Sequence, residues 1–479
     1  MIRSIIIQPH SKCFLVARNY LTLAMRRQIT LDASPPVHRG MMELDQTVFQ
    51  KTVPVLAARV PASKTGLILK SDQMKKSLMN LPKVRSVVQD PADPNGARLL
   101  LLRVSDEADL PENARTYLAA ESEGLITYDL KLNYDYWTAD EILQAILPEE
   151  LCDGSPTGFA ITGHIAHMNL NDEYLPYKHI IGQVVLDKNV KIRTVVNKLD
   201  SIDHQFRFFK MELIAGVPEY IVEHHESDCR FTFDFTTVYW NSRLHTEHER
   251  LVEMFNPEDV VADVFAGVGP FAVPAAKKGC AVLANDLNPN SAKYLERNVK
   301  DNKVSELARV FCEDGRDFIR SAAKRAFDDP FLAYAGPKLT RSQEKELRKR
   351  QVAQGKPDAS TSADSAQPTP AAHRKAISHF VMNLPDSAIQ FLDAFRGILA
   401  ENRPLSGIYS KMPMVHCHCF TRELEPENAE KDIKQRVEEK LGHPISEDVS
   451  YHLVRSVAPN KEMYCISFRL PPDVAYASE

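Results

Sequence analysis

The sequence predicts an α/β fold, with a doubly wound sheet in the C-terminal half of the chain and two smaller α/β domains before it. Three observations support this prediction. An apolar run over 260–265 ends in a small-residue turn, a helical block from Phe271 ends at Gly279, and a second apolar run, Ala281–Ala284, leads to Asp286. Strand, glycine turn, helix, strand and acid in this order are typical of a nucleoside-binding unit at the start of such a sheet.

Length and composition limit the classes of protein to consider. A chain of 479 residues is too long for one compact domain, and we predict domains over 42–110, 111–235 and 236–479. The net charge of −5 shows no overall basicity, so any polyanionic partner must bind local patches. The eight cysteines are scattered, which indicates reduced thiols in an intracellular compartment. No apolar run approaches the length of a membrane span.

The amino terminus is basic and free of acids. Five Lys or Arg residues precede the first acid, Asp32, and apolar residues lie between them. This pattern resembles a mitochondrial transit peptide, which we place over residues 1–35. The alternative is a tail whose composition is biased by chance. We therefore expect a protein of the mitochondrial matrix, and pools in the cytoplasm and nucleus are compatible with the pattern.

The two domains predicted before the large sheet carry strand and helix signals. Region 42–110 contains an apolar segment at Val53–Val60 and a buried strand at 98–104, with basic residues between them. Those basic residues indicate either a solvated face or a nucleic-acid surface. In region 111–235, Thr138 and Glu141 form a capping box ahead of an amphipathic helix.

The glycine turn predicts a nucleoside cofactor. Gly267 and Gly269 allow the backbone to approach a ligand at a helix N-terminus. Asp286, at the end of the second strand, can bind a ribose diol. Because the two strands and the turn are in register, the pattern is more specific than an isolated pair of glycines.

The residues next to the turn distinguish between cofactors. A dinucleotide site would have a third glycine where Ala272 stands, and Pro270 lacks the N–H that a pyrophosphate would use. The strand acid Asp263 would repel phosphate. S-adenosylmethionine has a cationic sulfonium and amino group and no phosphate, and it fits this site better.

The chain after the turn continues the same sheet. Asp314 and Gly315 follow a third strand and can either hold an adenine ring or form an ordinary turn. Residues 337–377 have low complexity and predict a disordered insertion. The sheet resumes at 379–382 and ends in Asn383. A helix is then expected through 389–399, and later strands are expected at 406–410, 414–420, 451–456 and 463–469.

A short helix ahead of the turn carries a second acid. Thr246 and Glu249 predict a capping box for this helix, which places Glu247 and His248 in its first turn. An acid in a first turn is often only a partner of the helix dipole. Near the mouth of the glycine turn it can instead be catalytic, and position alone leaves both interpretations open.

The string VHCHCF at 415–420 resembles a zinc-binding sequence. Adjacent residues on a strand point to opposite faces, so its four His and Cys side chains cannot converge on one metal. A second pair of cysteines at ligand spacing is missing nearby. We therefore predict a packed strand and no metal site.

Several strings together resemble one family, the archaeal and eukaryotic tRNA (guanine-37, N1)-methyltransferases. They are HMNL at 167–170, FRFFKMELIAG at 206–216, VYWNSRLHTEHER at 238–250, DVFAGVGPF at 263–271, NDLNP at 285–289, EDGRDF at 313–318 and NLP at 383–385. The resemblance covers the chain from about residue 45 except for the insertion. It implies a tRNA-recognition domain, a middle domain and a class I methyltransferase domain with a Rossmann-like sheet. It also implies a monomer that binds the anticodon stem-loop and elbow of tRNA.

The resemblance assigns roles to residues. The N1 nitrogen of guanine carries a proton, so its attack on a methyl group needs a base, and charge develops on the O6 oxygen. The implied general base is Glu247, and Arg207 is implied to stabilise O6. The implied guanine pocket contains Tyr239 and Asn383, and Asn383 also contacts the cofactor. The other implied cofactor residues are His248, Asp263, Gly267, Gly269, Asp286, Leu287, Asp314 and Gly315.

Two other functions compete with methyl transfer. One is the wybutosine-pathway transferase, which moves the aminocarboxypropyl group of the same cofactor. That family is similar in fold but usually has Tyr where Pro270 stands. The other is a non-catalytic RNA-binding protein with a degenerate fold, and the intact acids Glu247 and Asp286 argue against it.

Overall fold

A computed structural model of the chain describes residues 31–154, 156–202, 209–334, 336, 373–400 and 407–478. Most of the predicted transit segment (residues 1–30), Arg207 and residues 337–372 of the predicted insertion lie outside the described residues. The chain divides into two compact units, one containing Asp45–Ile146 and the other containing Leu147 onward.

The first unit is built on a four-stranded antiparallel sheet with the order β2-β3-β1-β4. Its elements are β1 (Gln50–Pro61), α1 (Thr65–Lys70), β2 (Val87–Asp90), β3 (Asp93–Leu101), α2 (Glu112–Glu121), β4 (Gly124–Asn133) and α3 (Ala139–Ile146). The apolar segment predicted at Val53–Val60 is the centre of β1, which has a neighbour on each side. Thr138 and Glu141 form the predicted capping box, since the Glu141 N–H donates to Thr138 Oγ1 at 3.3 Å and the Thr138 N–H to Glu141 Oε2 at 2.8 Å.

The boundary predicted between 110 and 111 is corrected by this sheet. Strand β4 pairs with β1 from Gln50↔Asn133 to Arg59↔Gly124, so its ten residues belong to the first unit. The unit accordingly extends to Ile146. Sequence reasoning placed the boundary too early because strand pairing over this distance leaves no local signal.

The second unit opens with a four-stranded sheet ordered β5-β6-β7-β8, followed by the hairpin of β9 and β10. These elements are β5 (Ala160–Thr162), β6 (Ile165–Met168), α4 (Lys178–Lys188), β7 (Thr194–Ile202), β8 (Phe209–Gly216), β9 (Ile221–Glu226) and β10 (Cys229–Asp234).

A seven-stranded sheet forms the rest of the second unit, with the order β13-β12-β11-β14-β15-β17-β16. Strands β11 to β15 are parallel, and β17 is antiparallel to both of its neighbours. The elements are α5 (His245–Glu253), β11 (Val260–Asp263), α6 (Ala272–Lys278), β12 (Ala281–Asn285), α7 (Pro289–Asp301), β13 (Ala308–Phe311), α8 (Gly315–Asp328), β14 (His379–Met382), β15 (Met414–Thr421), α9 (Pro426–Leu441), β16 (Ser450–Ala458), β17 (Lys461–Arg469) and α10 (Pro472–Ala475). The predicted doubly wound sheet is confirmed.

Local sequence explains the centre of this sheet. Every residue of β11 and β12 is buried, as expected for parallel strands covered by helices on both faces. Helix α6 ends at Lys278 and is capped by Gly279, whose φ of +115° suits a residue without a side chain. Helix α7 begins with the Asn288 side chain accepting the Asn290 N–H, and Pro289 occupies the first helical position.

Two local predictions are wrong, and one is right except in extent. Helix α5 begins at His245, because Asn241 caps a short 3-10 turn ahead of it, and the Thr246 capping box does not form. The helix expected through 389–399 is present as a 3-10 helix over Ala388–Phe395, so it ends earlier than predicted. Residues 407–410 are turn and bend, not strand.

One hydrophobic core lies on each face of the seven-stranded sheet. Helices α8 and α9 contribute to one core, and α6, α7 and the β9–β10 hairpin contribute to the other. The parallel strands β11, β12 and β14 end at one edge, which brings Asp263, Asp286 and Asn383 to the same side of the sheet. Within the described residues, no helix combines the length and apolarity needed to cross a membrane.

Candidate functional site

The glycine turn needs both of its glycines. Gly267 has a φ of +55° and Gly269 a φ of +102°, which other residues rarely adopt. A Cβ on Gly269 would lie 2.7 Å from Leu295 Cδ1, whereas one on Gly267 would meet no atom within 4 Å. Gly267 therefore serves the backbone conformation, and Gly269 also allows α7 to pack against the turn.

Asp286 ties the turn to the end of β12. Its Oδ2 accepts the Gly267 N–H at 2.8 Å, and its Oδ1 accepts the Asn288 N–H at 2.9 Å. Burial nevertheless raises the pKa of this carboxyl above its usual value. Leu287 follows it and is 41% exposed at the rim of the site. The two residues predicted to bind a ribose thus stand beside the predicted turn.

Asp263 lies fully buried at the end of β11. Among the described residues neither of its carboxylate oxygens has a well-formed hydrogen bond. Burial, followed by the charge of Asp286, raises its pKa to about 8, and the Phe265 amide and His418 offset this only in part. A buried acid without a partner is costly, so this carboxyl is suited to receive a cation.

Asn285 and Asp314 hold the backbone that follows strand β13. The buried Asn285 side chain donates to Glu313 O at 3.1 Å and accepts the Glu313 N–H at 3.0 Å. Asp314 accepts the Arg316 N–H at 2.8 Å and so caps α8. A Cβ on Gly315 would lie 2.8 Å from Phe265 Cε1, which explains the glycine by packing. The adenine-binding role of Asp314 and Gly315 stays a prediction.

Glu247 is a buried anion hydrogen-bonded to two basic groups, and a third, His452, has its Nε2 3.6 Å from Oε2. Arg250 donates to both carboxylate oxygens at 2.6 and 2.7 Å, and His418 Nε2 donates to Oε1 at 2.7 Å. Burial alone would raise its pKa, but these partners outweigh burial and lower it to about 2. Sequence reasoning could not find His418, because it lies 171 residues away on β15.

Glu247, His418 and Cys465 offer ligand atoms within 4.8 Å of one another, as a metal site would. Both carboxylate oxygens are already bound by Arg250, whose guanidinium would repel a cation. An ion-paired cluster explains the geometry better than a metal centre, and the predicted absence of a metal stays a prediction.

The two faces of strand β15 differ as predicted. Cys417 and Cys419 pack in one hydrophobic core. On the other face, His416 Nδ1 lies 2.7 Å from Ser467 Oγ, and His418 contacts Glu247. The predicted packed strand is confirmed.

His248 packs against the glycine turn. It is 4% exposed, and its ring meets the ring of Phe271 edge to face at 4.8 Å between centroids. Its Nδ1 donates to Glu226 Oε1 at 2.6 Å. Sequence reasoning predicted His248 but missed Glu226, because strand β9, which ends at Glu226, contains no recognisable motif.

The predicted guanine pocket is only partly described. Tyr239 is 47% exposed, and Asn241 Nδ2 lies 3.5 Å from its hydroxyl. Asn383 follows β14, and its buried Oδ1 has no hydrogen-bond partner among the described residues. Arg207 falls between 202 and 209, outside the described residues, so its assignment stays a prediction.

Two family models match the part of the chain from residue 139 to residue 333, and two solved structures share the fold. Residues 139–219 match the TYW2 N-terminal domain family, and residues 222–333 match the TRM5/TYW2 methyltransferase domain family. Two solved structures share the fold at a TM-score of 0.55: Trm5b from Pyrococcus abyssi, at 22% identity, and aTrm5 in complex with tRNALeu, at 18%. Each alignment covers 87% of this chain, and 99% and 100% of those chains. The fold and the site define an α/β methyltransferase.

Full-length relatives identify the family. The chain is 60% identical to the tRNA (guanine(37)-N(1))-methyltransferase of Coprinopsis cinerea, covering 94% of this chain and 98% of the relative. It is 44% identical to that of Schizosaccharomyces pombe (91% and 96% covered) and 42% identical to that of Saccharomyces cerevisiae (92% and 95% covered). The chain belongs to the tRNA (guanine(37)-N(1))-methyltransferase family and is an enzyme.

Proposed function

We propose that this enzyme transfers the methyl group of S-adenosylmethionine to N1 of guanosine 37 of tRNA. The observation that carries the choice of cofactor is Asp263, a buried carboxyl at the end of β11 that has no well-formed hydrogen bond among the described residues. A cationic amino or sulfonium group placed there would favour the ionised carboxylate and be bound by it, whereas a phosphate would only raise the pKa of Asp263 further. We assign ribose binding to Asp286 and Leu287, and adenine binding to Asp314 and Gly315.

The proposed chemistry assigns the N1 proton to Glu247. A carboxylate whose pKa is about 2 accepts that proton poorly while both oxygens are ion-paired. The proposal therefore includes the release of one partner when tRNA binds. Arg250 is the partner able to turn away, because its side chain is 27% exposed and His418 is fully buried. Arg207, Tyr239 and Asn383 complete the proposed guanine site.

The donor group can be tested with two labelled cofactors. S-adenosylmethionine labelled in its methyl group should transfer label to tRNA, and S-adenosylmethionine labelled in its carboxyl group should transfer none. Transfer of the carboxyl label would instead establish aminocarboxypropyl transfer. Binding of the labelled cofactor to the protein with neither label in tRNA would contradict the proposed transfer.

We further propose that the enzyme acts as a monomer on the anticodon stem-loop and elbow of tRNA. Family membership supports a tRNA substrate, and the basic residues between β1 and β3 offer a surface for a polyanion. Footprinting of bound tRNA should protect both regions, and sedimentation should give one protein per tRNA. Protection of the anticodon stem-loop alone would remove the elbow from the proposal.

We propose a mitochondrial matrix location, with cytoplasmic and nuclear pools, from the basic and acid-free start of the chain. A fluorescent fusion of the full chain should label mitochondria, and deletion of residues 1–35 should abolish that signal. Retained mitochondrial signal after the deletion would reject the transit segment.

A further inference from the structure

One more buried carboxylate lies outside the residues predicted for the site. Glu226 is the last residue of β9, on a hairpin whose turn residues Ser227 and Asp228 both have positive φ. Its side chain is only 7% exposed. A charged group buried on a surface hairpin is costly unless it is paired, so its partners indicate its role.

Those partners are two histidines. His248 Nδ1 lies 2.6 Å from Glu226 Oε1, and His224 Nε2 lies 3.6 Å from Oε2. Burial opposes the charge of Glu226, but the two imidazoles outweigh burial and lower its pKa to about 2. Because a charged carboxylate only accepts hydrogen bonds, Nδ1 of His248 must be the donor. This fixes the ring of His248 and directs its Nε2 away from Glu226.

The ring of His248 lies against the cofactor turn. Phe271, which ends that turn, meets it edge to face at 4.8 Å. On the hairpin side, Trp240 lies 5.0 Å from His224 and 6.4 Å from His248. The pair of Glu226 and His248 is therefore packed between the hairpin and the turn.

S-adenosylmethionine presents two opposite charges at its methionine end. Asp263 is suited to its cationic groups, and its α-carboxylate needs an N–H donor. An imidazole that already donates from Nδ1 donates from Nε2 only when it is protonated. Glu226 places a carboxylate 2.6 Å from Nδ1, and this contact orients the ring for a donor role at Nε2.

We propose that Glu226 is a positioning residue that holds His248 for recognition of the α-carboxylate of S-adenosylmethionine. The inference rests on the proposed function. It assigns the β9–β10 hairpin a part in cofactor selection, and it explains why an acid is buried there. Glu226 itself does not touch the cofactor.

Equilibrium dialysis with radiolabelled S-adenosylmethionine and with its decarboxylated form tests the proposal on the full-length chain. Glu226→Gln should weaken binding of S-adenosylmethionine about tenfold, the usual effect of losing one charge-assisted hydrogen bond. Its binding of decarboxylated S-adenosylmethionine should match the parent, because that probe has no carboxylate to recognise. The matched control is Glu223→Gln on the same strand, whose side chain is 51% exposed and pairs with His225 and Arg230.

His248→Gln should reproduce the selective loss, which keeps the test valid if Glu226→Gln unfolds. Equal weakening of both probes, or unchanged binding of S-adenosylmethionine, would overturn the inference and leave the proposed function intact. Failure of the parent to bind either probe would overturn the proposed function and the inference together.

Discussion

At the scale of single residues, the site is defined by buried acids in different states. Asp286 bonds to the backbone of the turn, Glu247 and Glu226 are paired with basic groups, and Asp263 has no well-formed hydrogen bond within the described residues. Acidic side chains thus serve here as a backbone ligand, as ion-pair partners and as a carboxyl suited to a cation. Burial and partners, which sequence does not show directly, make the difference.

Asp263→Asn should remove a pH-dependent cost of folding. Burial raises the pKa of Asp263 from 3.8 to about 8, so the folded state favours the neutral acid. Its contribution to the free energy of unfolding therefore decreases as pH rises from 3.8 towards 8. Thermal unfolding between pH values of about 6 and 9 should show a smaller fall in Tm for Asp263→Asn than for the parent.

The same variant should bind S-adenosylmethionine at least about tenfold more weakly, because an amide cannot neutralise a cation. Asp317→Asn is a control, since that carboxylate is exposed on α8. Equal pH slopes of Tm for parent and variant would contradict the neutral, buried state of Asp263.

Glu247→Gln should reduce methyl transfer about a hundredfold or more, the usual effect of losing a general base. Binding of S-adenosylmethionine should persist. Glutamine is preferred to alanine because its Oε1 can still accept a hydrogen bond from the buried His418, whereas truncation would leave that donor unsatisfied, at about 1–3 kcal/mol. Single-turnover kinetics beside cofactor dialysis would measure both effects, and a variant as active as the parent would remove Glu247 from the proton transfer.

The local residues of the site were predictable, and their distant partners were not. Gly267, Gly269, Asp263 and Asp286 fall within one strand-turn-strand pattern that the sequence displays. The pairing of Glu247 with His418 joins α5 to a strand far along the chain, and no local pattern records it.

At the scale of elements, α7 connects the β9–β10 hairpin to the glycine turn. Asn298 Nδ2 donates to Val268 O at 2.9 Å, and its Oδ1 accepts the Thr232 N–H at 2.8 Å. One turn later, Asn302 bonds both backbone groups of Arg230 at 2.9 and 2.7 Å. Two asparagines thus hold the edge of the hairpin beside the cofactor turn.

Asn298→Leu should destabilise the second unit by about 2–3 kcal/mol, because it leaves a buried N–H and a buried C=O without partners. It should also weaken S-adenosylmethionine binding, since the turn loses an anchor. Asn302→Ala, at the exposed end of α7, should cost about 1 kcal/mol. Urea denaturation gives the free energies of unfolding, and equal losses for the two variants would contradict the special position of Asn298.

Element prediction succeeded where strands are buried on both faces. The apolar runs of β11, β12 and β14 have one simple explanation in such a sheet. It found the helix at Ala388–Phe395 but not its end or its type, because apolar spacing does not distinguish an α-helix from a 3-10 helix. It failed at Thr246, because the preceding 3-10 turn and its Asn241 cap started the helix two residues earlier.

At the scale of the whole molecule, the chain has two units, and the proposed tRNA recognition and the proposed cofactor site belong to different units. The first has its own four-stranded sheet and core, and the second contains every described residue of the proposed site. Family and sheet order were predictable from motifs spread along the chain. The boundary at Ile146 was not, because it depends on how β4 pairs with β1.

A fragment that begins at Leu147 should fold and bind S-adenosylmethionine as the full chain does, because the proposed cofactor residues all lie after this point. Its affinity for tRNA should fall at least about tenfold if the first unit binds the elbow. Dialysis and filter binding measure the two affinities. Unchanged tRNA affinity would place recognition in the second unit instead.

The most direct test of the central claim is mass spectrometry of nucleosides from tRNA treated with the enzyme and S-adenosylmethionine. One transcript carries guanosine at position 37, and a matched transcript carries adenosine there. We expect 1-methylguanosine from the first transcript and no methylated nucleoside from the second. An aminocarboxypropyl nucleoside, or equal methylation of both transcripts, would contradict the central claim.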